Sequence, residues 1–179
     1  MKVRGFEVVT EYEDKNINLP KRATKYSAGY DFESAVDITI PSIWSEIAKN
    51  ICKFLGNKNL EWDSFKDVIA DLIKPTLVTT GVKAYMQEKE VLKLFNRSSN
   101  PLKFGLLLSN GTGIIDKDYY NNPDNEGEIK AQFINFFPYD IKIKKGQRIC
   151  QGIFENYLLA DNDNSEEERL SGHGSTGIE

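Results

Sequence analysis

Between Asp140 and Tyr157 the chain reads DIKIKKGQRICQGIFENY, and this stretch constrains the fold more than any other. Ile141 and Ile143 alternate with Lys142 and Lys144. Successive side chains of a β-strand point to opposite faces, so this period of two predicts a sheet with one apolar and one wet face. Other short β-rich runs surround it: KVRGFEVV near the start, EVLKLFNR and KFGLLLSN in the middle, then IKAQFINFF. Ser109-Asn110-Gly111 predicts a tight hairpin of type I′, because Asn-Gly tolerates positive φ angles. Short strands with frequent turn signals predict an all-β sandwich or barrel.

Residues 42–73 break this pattern. Ile43, Ile47 and Ile51 recur at helical spacing, and Phe54 and Leu55 extend the stripe. Ser42, just after Pro41, is placed to cap this helix and Gly56 to end it. Phe65, Val68, Ile69, Leu72 and Ile73 form a second stripe, with Ser64 and Asp67 as a capping box and Pro75 as the stop. The expectation is a helical hairpin inserted into a β domain, either covering part of the sheet or acting as a lid or partner-binding element.

Charge and length narrow the classes of function. A chain of 179 residues holds one ordinary domain with a real core. The net charge of −4 gives no overall basic field for coating nucleic acid, although a small anionic ligand needs only a few local cations. No apolar run approaches the roughly 20 residues of a membrane helix. No apolar segment follows the basic residues of MKVRGFEVVTEYEDK, so this start is not read as a signal peptide. The two cysteines, Cys52 and Cys150, make no disulfide framework, which points to a reduced, cytoplasmic protein. Residues 1–160 are expected to form the β domain. From Asp161 to Glu168 there is no apolar side chain, so residues 161–179 read as a mobile linker and a C-terminal arm. Eight extended residues reach at most roughly 28 Å, far enough to meet a neighbouring subunit.

The residues with chemical potential are scattered. Asp116 follows an apolar strand and a glycine-rich turn, where a carboxylate serves as a general base, a metal ligand or simply a turn residue. NRSS (96–99) offers a cation and two hydroxyls to phosphate oxygens. GQRICQG offers Arg148 and Gln151. GHGSTG (172–177) offers backbone N–H groups, two hydroxyls and one imidazole, on glycines that permit close approach to an anion.

Taken in order, AGYDFESA (28–35), NRSS (96–99), NGTGIIDKDYY (110–120), GQRICQGIF (146–154) and RLSGHGSTG (169–177) resemble the five motifs of the trimeric dUTP pyrophosphatases. The resemblance runs from about residue 20 to the C-terminus. It implies a distorted jelly-roll or β-barrel-like fold carrying the helical insertion, assembled as a homotrimer with exchanged C-terminal arms. The implied activity is Mg²⁺-dependent hydrolysis of dUTP to dUMP and pyrophosphate, which limits uracil in DNA and supplies dUMP for thymidylate synthesis.

By the same resemblance, Asp116 is the general base that activates water for attack on the α-phosphorus. Asn110, Gly113, Ile114 and Ile115 lie on the hairpin that reads uracil, and Tyr119 packs on the deoxyribose where a 2′-hydroxyl would sit. Lys130 falls where the family contacts the nucleotide. Arg97, Ser98, Ser99 and Gln151 match phosphate contacts, and Asp31 matches the aspartate that holds Mg²⁺ through water. In the arm, Arg169, Gly174, Ser175 and Thr176 match contacts to the terminal phosphate. His173 takes the place of the ring that stacks on uracil.

The chain departs from the family pattern at several points. His173 stands where phenylalanine is usual and Ser171 where glycine is usual. Gln147 replaces the aspartate of the fourth motif. The loop YNNPDNE (120–126) and the 42–73 hairpin are additions. Two alternatives stand beside the main expectation. One is a dCTP deaminase-type enzyme, told apart by ammonia release. The other is a phage-type dUTPase that also regulates by binding a protein, with the 42–73 insertion as the candidate surface.

Overall fold

A computed structural model describes residues 2–56, 70 and 74–163. The strands are β1 (Gly5–Val8), β2 (Lys21–Arg22), β3 (Tyr30–Glu33), β4 (Ile38–Ile40), β5 (Thr76–Thr79) and β6 (Val82–Tyr85). They continue with β7 (Glu90–Asn96), β8 (Leu106–Leu108), β9 (Thr112–Ile115), β10 (Lys130–Asn135), β11 (Ile141–Ile143) and β12 (Arg148–Asn156). The helices are α1 (Ile43–Gly56) and α2 (Ser99–Phe104).

Among the described residues the strands pair antiparallel, and they form a jelly-roll-like wrap of small sheets around one core. The largest sheet has five strands in the order β2-β3-β12-β7-β9. A three-stranded sheet, β5-β10-β8, packs against it, and β1-β6 and β11-β4 close the sides. The alternation read from the sequence is the alternation of burial. In β11, Ile141 and Ile143 are buried and Lys142 is exposed; in β10, Ala131, Phe133 and Asn135 point inward. β7 sits mid-sheet and buries both faces, so Val91, Leu92 and Leu94 form a nearly continuous apolar run. Phe32, Ile40, Val78, Leu92, Ile129 and Phe133, each 1% exposed or less, make the centre of the core.

Asn135 is completely buried, which is tolerable only because its amide is satisfied. Its Nδ2 donates to the carbonyls of Ile40 (3.1 Å) and Tyr139 (2.8 Å), and its Oδ1 accepts from Phe137 N (2.9 Å).

The N-terminal half of the insertion is a helix, capped as its sequence predicts: Ser42 Oγ accepts from Ser45 N at 3.3 Å. Ser42 itself belongs to the β body, fully buried with its Oγ donating to Phe137 O at 2.5 Å. The second predicted stripe and its capping box lie outside the described residues, apart from the single helical residue Ala70. The predicted type I′ hairpin at 109–111 is corrected: only Gly111 has positive φ there (67°), and the flanking strands do not pair with each other. β8 pairs with β10 and β9 with β7, so the turn passes from one sheet to the other. The run KFGLLLSN is also only partly strand. Lys103 and Phe104 finish α2, and Gly105, at φ 58°, turns the chain into β8.

Candidate active site

β12 places the first group of candidates. Its register puts Gln151 directly opposite Asp31 on β3 and opposite Phe95 on β7. A bulge between Arg148 and Cys150 displaces Arg148 in the ladder, the kind of irregularity that re-aims a side chain. Arg148 Nη1 lies 3.0 Å from Asp31 Oδ2, and Arg97 Nε lies 3.3 Å from Asp31 Oδ1. Each carboxylate oxygen therefore faces a guanidinium. The Asp31 side chain is only 16% exposed, so its charge is buried but compensated. Arg97 is steadied by a second bond, Nη1 to Arg148 O at 3.1 Å. Gln151 Nε2 donates to Asn96 O at 3.3 Å. Its side chain rests where Gly29 has none: a Cβ there would meet Gln151 Oε1 at 2.6 Å.

The charges do not cancel. Beside Asp31 opens a cleft of about 200 Å³ whose walls include Lys21, Arg22, Glu33 and Arg148. Three cations against two carboxylates leave a net positive cleft, suited to phosphate. Ser98 is exposed, and Ser99 begins α2. Cys150 lies beneath, fully buried, and its thiol is pushed up to about 12 by burial first and by the Asp31 charge second. It is a packing residue, since the reactive form of cysteine is the thiolate.

β9 places the second group. Gly113 sits close to its neighbours, where a Cβ would lie 3.2 Å from Leu94 Cβ and 3.4 Å from Asn110 Nδ2. Ile114 is 54% exposed, an apolar surface at the strand edge, while Ile115 packs on the core. Asp116 ends the strand half-buried, and its carbonyl accepts from Tyr119 N at 3.2 Å as the chain enters a 3-10 turn, Lys117–Tyr119. Tyr119 is 6% exposed, with its hydroxyl donating to Glu128 O at 2.9 Å. Lys130 Nζ lies 3.3 Å from the buried Glu128 carboxylate, whose other oxygen accepts from Gly81 N at 3.2 Å. Asp116, Tyr119 and Lys130 thus share one region.

The two groups do not meet in one chain. Ile115 lies opposite Leu92, and Asp116 is one residue further from the Arg97 end of β7. At ~3.3 Å per residue, the six steps from Val91, level with Asp116, to Arg97 put roughly 20 Å between the two along the strand direction. Arg169, His173, Gly174, Ser175 and Thr176 lie outside the described residues. Among the described residues, no group of three or more His, Cys, Asp or Glu is arranged to hold a metal.

Sequence reasoning underrated Arg148 and missed Lys21 and Arg22. Arg148 lies in GQRICQGIF, but nothing in its spacing says that it faces Asp31, 117 positions earlier. Lys21 and Arg22 occupy a strand of two residues, too short for a periodic signal.

A family model described as dUTPase matches residues 60–178. The deoxyuridine 5′-triphosphate nucleotidohydrolase of Lactococcus lactis subsp. lactis is 46% identical over 179 residues, covering 99% of each chain. A crystal structure of dUTPase from Streptococcus mutans superposes with a TM-score of 0.68 at 42% identity, over 88% of this chain and 99% of that one. A mutant dUTPase from phage phi11 of S. aureus, whose structure details coordination of a structural Mg(II) ion, shares the fold at TM-score 0.61 and 17% identity, over 93% and 98% of the chains.

Proposed function

This chain belongs to the dUTPase family and hydrolyses dUTP, and from that premise we propose how its residues divide the work. The triphosphate binds at the Asp31 cluster, held by Arg97, Ser98, Ser99, Arg148 and Gln151, next to the positive cleft that Lys21, Arg22 and Arg148 line. Charge-assisted bonds to phosphate oxygens make this the main source of affinity. Asn110 and the start of β9 face the uracil, Tyr119 walls off the 2′ position of the sugar, and Lys130 lies beside it. Asp116 takes a proton from water as its oxygen bonds the α-phosphorus. The bond from the α-phosphorus to the bridging oxygen breaks, and pyrophosphate leaves with that oxygen. In the C-terminal arm, Arg169, Gly174, Ser175 and Thr176 contact the terminal phosphate, and His173 covers the base.

The donor set fits Mg²⁺ through water only. Both Asp31 oxygens already face arginines, which suits an ion that keeps its waters and binds mainly through substrate phosphates. When bound, the ion would neutralise charge on the pyrophosphate leaving group.

The observation that carries this reading is the roughly 20 Å between Asp116 and Arg97 along β7. A base this far from the phosphates is useless within one chain and useful at a boundary between copies. We therefore propose a homotrimer in which one copy supplies Asp116 and Tyr119, a neighbour supplies the phosphate cleft, and the 161–179 arm closes the site. A cytoplasmic setting fits the two free thiols, Cys52 and Cys150. The 42–73 insertion is the candidate surface for a regulatory protein partner, since α1 leaves Trp44 (52%) and Leu55 (76%) exposed. A pull-down with and without the insertion tests that role.

Pyrophosphate release tests the whole scheme, measured from dUTP, dCTP, dTTP and UTP with and without Mg²⁺. The scheme requires dUTP to be strongly preferred and Asp116→Asn to bind dUTP while losing turnover. Near-normal turnover by that variant would overturn the base assignment.

A further inference from the structure

The loop 120–126 takes no direct part in this chemistry, yet its side chains are bonded at both ends. Asn125 Nδ2 donates to the Tyr119 hydroxyl at 3.0 Å, the same hydroxyl that donates to Glu128 O. Asn122 Nδ2 donates to the Tyr119 carbonyl at 2.9 Å and to Asn125 Oδ1 at 2.8 Å. Asn125 Oδ1 also accepts from Gly127 N at 3.0 Å. Asn122, only 5% exposed, accepts from the backbone of Asp124 and Asn125 through its Oδ1. Two asparagines that hold each other therefore grip the tyrosine at its hydroxyl and at its carbonyl.

The loop is itself riveted to the N-terminal strand and β6. The Glu126 carboxylate accepts from Thr10 N (3.2 Å), Thr10 Oγ1 (3.0 Å) and Lys83 Nζ (3.1 Å). Lys83 also donates to Asn121 Oδ1 at 2.6 Å, and the Tyr120 hydroxyl donates to Glu7 at 2.5 Å. Asn121 (φ 58°) and Glu126 (φ 57°) are held in the left-handed region that non-glycine residues seldom occupy. Such conformations persist where the surroundings over-determine them.

We propose that Asn125, backed by Asn122, is a positioning residue that makes the Tyr119 ring a rigid wall and thereby sets the preference for deoxyribose over ribose. This rests on the reading that Tyr119 meets the sugar. A ring excludes a 2′-hydroxyl only if it cannot yield, because specificity of this kind comes from a clash rather than from a gained contact. Packing alone leaves a phenol free to slide along its own plane. A hydroxyl fixed by one acceptor and one donor does not slide.

The experiment measures kcat/KM for dUTP and for UTP in Asn125→Ala, Tyr119→Phe, the double variant and Tyr119→Ala, with thermal melts to establish folding. Tyr119→Phe keeps the ring and its packing, so it reports even if Asn125→Ala folds poorly. Asn125→Ala is expected to lower the dUTP/UTP ratio by roughly 2–10-fold, the scale of one neutral hydrogen bond. Tyr119→Phe should do the same. The double variant should fall no further than Tyr119→Phe alone, because loss of the hydroxyl already removes the bond that Asn125 makes to it. The inference is overturned if Tyr119→Ala lowers the ratio while Asn125→Ala and Tyr119→Phe leave it unchanged, even if both nucleotides turn over more slowly. It is also overturned if the single effects multiply in the double variant. An unchanged ratio in Tyr119→Ala removes the sugar-wall reading itself, and this inference with it.

Discussion

Two dead chains should make a live enzyme. Take one chain with Asp116→Asn, which loses the base at one end of the β7–β9 pair. Take a second with Arg97→Gln and Ser98→Ala, which weakens the phosphate contacts at the other end, roughly 20 Å away. Alone, the first should lose about 10²–10⁴-fold in turnover. The second loses two contacts to charged oxygens at about 1.5–3 kcal/mol each, a combined loss of roughly 10²-fold or more in kcat/KM. Unfolded together in equal amounts and refolded, the chains mix at random. If each site takes its base from one copy and its cleft from the next, the chance that both are intact is ~½ × ½, so about one quarter of the sites are whole. Pyrophosphate release should then reach about a quarter of the wild-type rate per chain, far above the sum of the separately refolded samples. Distinct mass tags and native mass spectrometry establish that mixed trimers formed. Verified mixed trimers with no activity above that sum would show that each chain completes its own site, and the boundary between copies would be the wrong place for it.

The same arithmetic applies to the arm: a chain ending at Ala160, refolded with Asp116→Asn chains, should regain activity if the arm acts on a neighbour and stay dead if it folds over its own Asp116. Gly127→Ala should destabilise strongly, because φ is 81° there and a Cβ would meet Tyr119 O at 2.3 Å. The left-handed backbone alone costs about 1–2 kcal/mol. A fall in Tm of less than about 2 °C in a calorimetric scan would show that the loop gives way easily. Glu90 predicts acid sensitivity. Arg4 Nε donates to both Glu90 oxygens at 3.1 Å and, with Gln87 N–H, lowers the carboxyl below its ordinary value against the opposing effect of burial. A depressed folded-state value stabilises above the unfolded value of about 4.3 and is lost as pH falls through the folded one. Wild-type Tm should therefore drop more steeply below about pH 4.3 than that of Arg4→Gln, and parallel curves would refute the pairing. Replacing residues 46–73 with a short turn should leave kcat within several-fold, and a soluble trimer without activity would place the insertion in the site.

What this sequence determines alone is whatever acts over a few residues. Alternating Ile and Lys in 141–144 set a strand and its wet face, and burial follows that alternation. Ser42 caps α1 through its own hydroxyl, three residues from the N–H it serves. Five ordered motifs carry the resemblance to the dUTPases, because each motif is a short local run of residues. Tertiary structure alone decided which elements meet. Asn110-Gly111 signalled a hairpin, but turn propensity is local and strand pairing is not: Leu106–Leu108 found β10 while Thr112–Ile115 found β7. Asp31 faces Arg97 and Arg148 from far along the chain, because a sheet register and one bulge in β12 bring them together. The motifs that hold Arg97 and Asp116 follow each other in the sequence, and the length of β7 sets those two residues at opposite ends of a strand pair. A strand is stiff and rises ~3.3 Å per residue, so residues at its opposite ends stay apart whatever their chemistry invites.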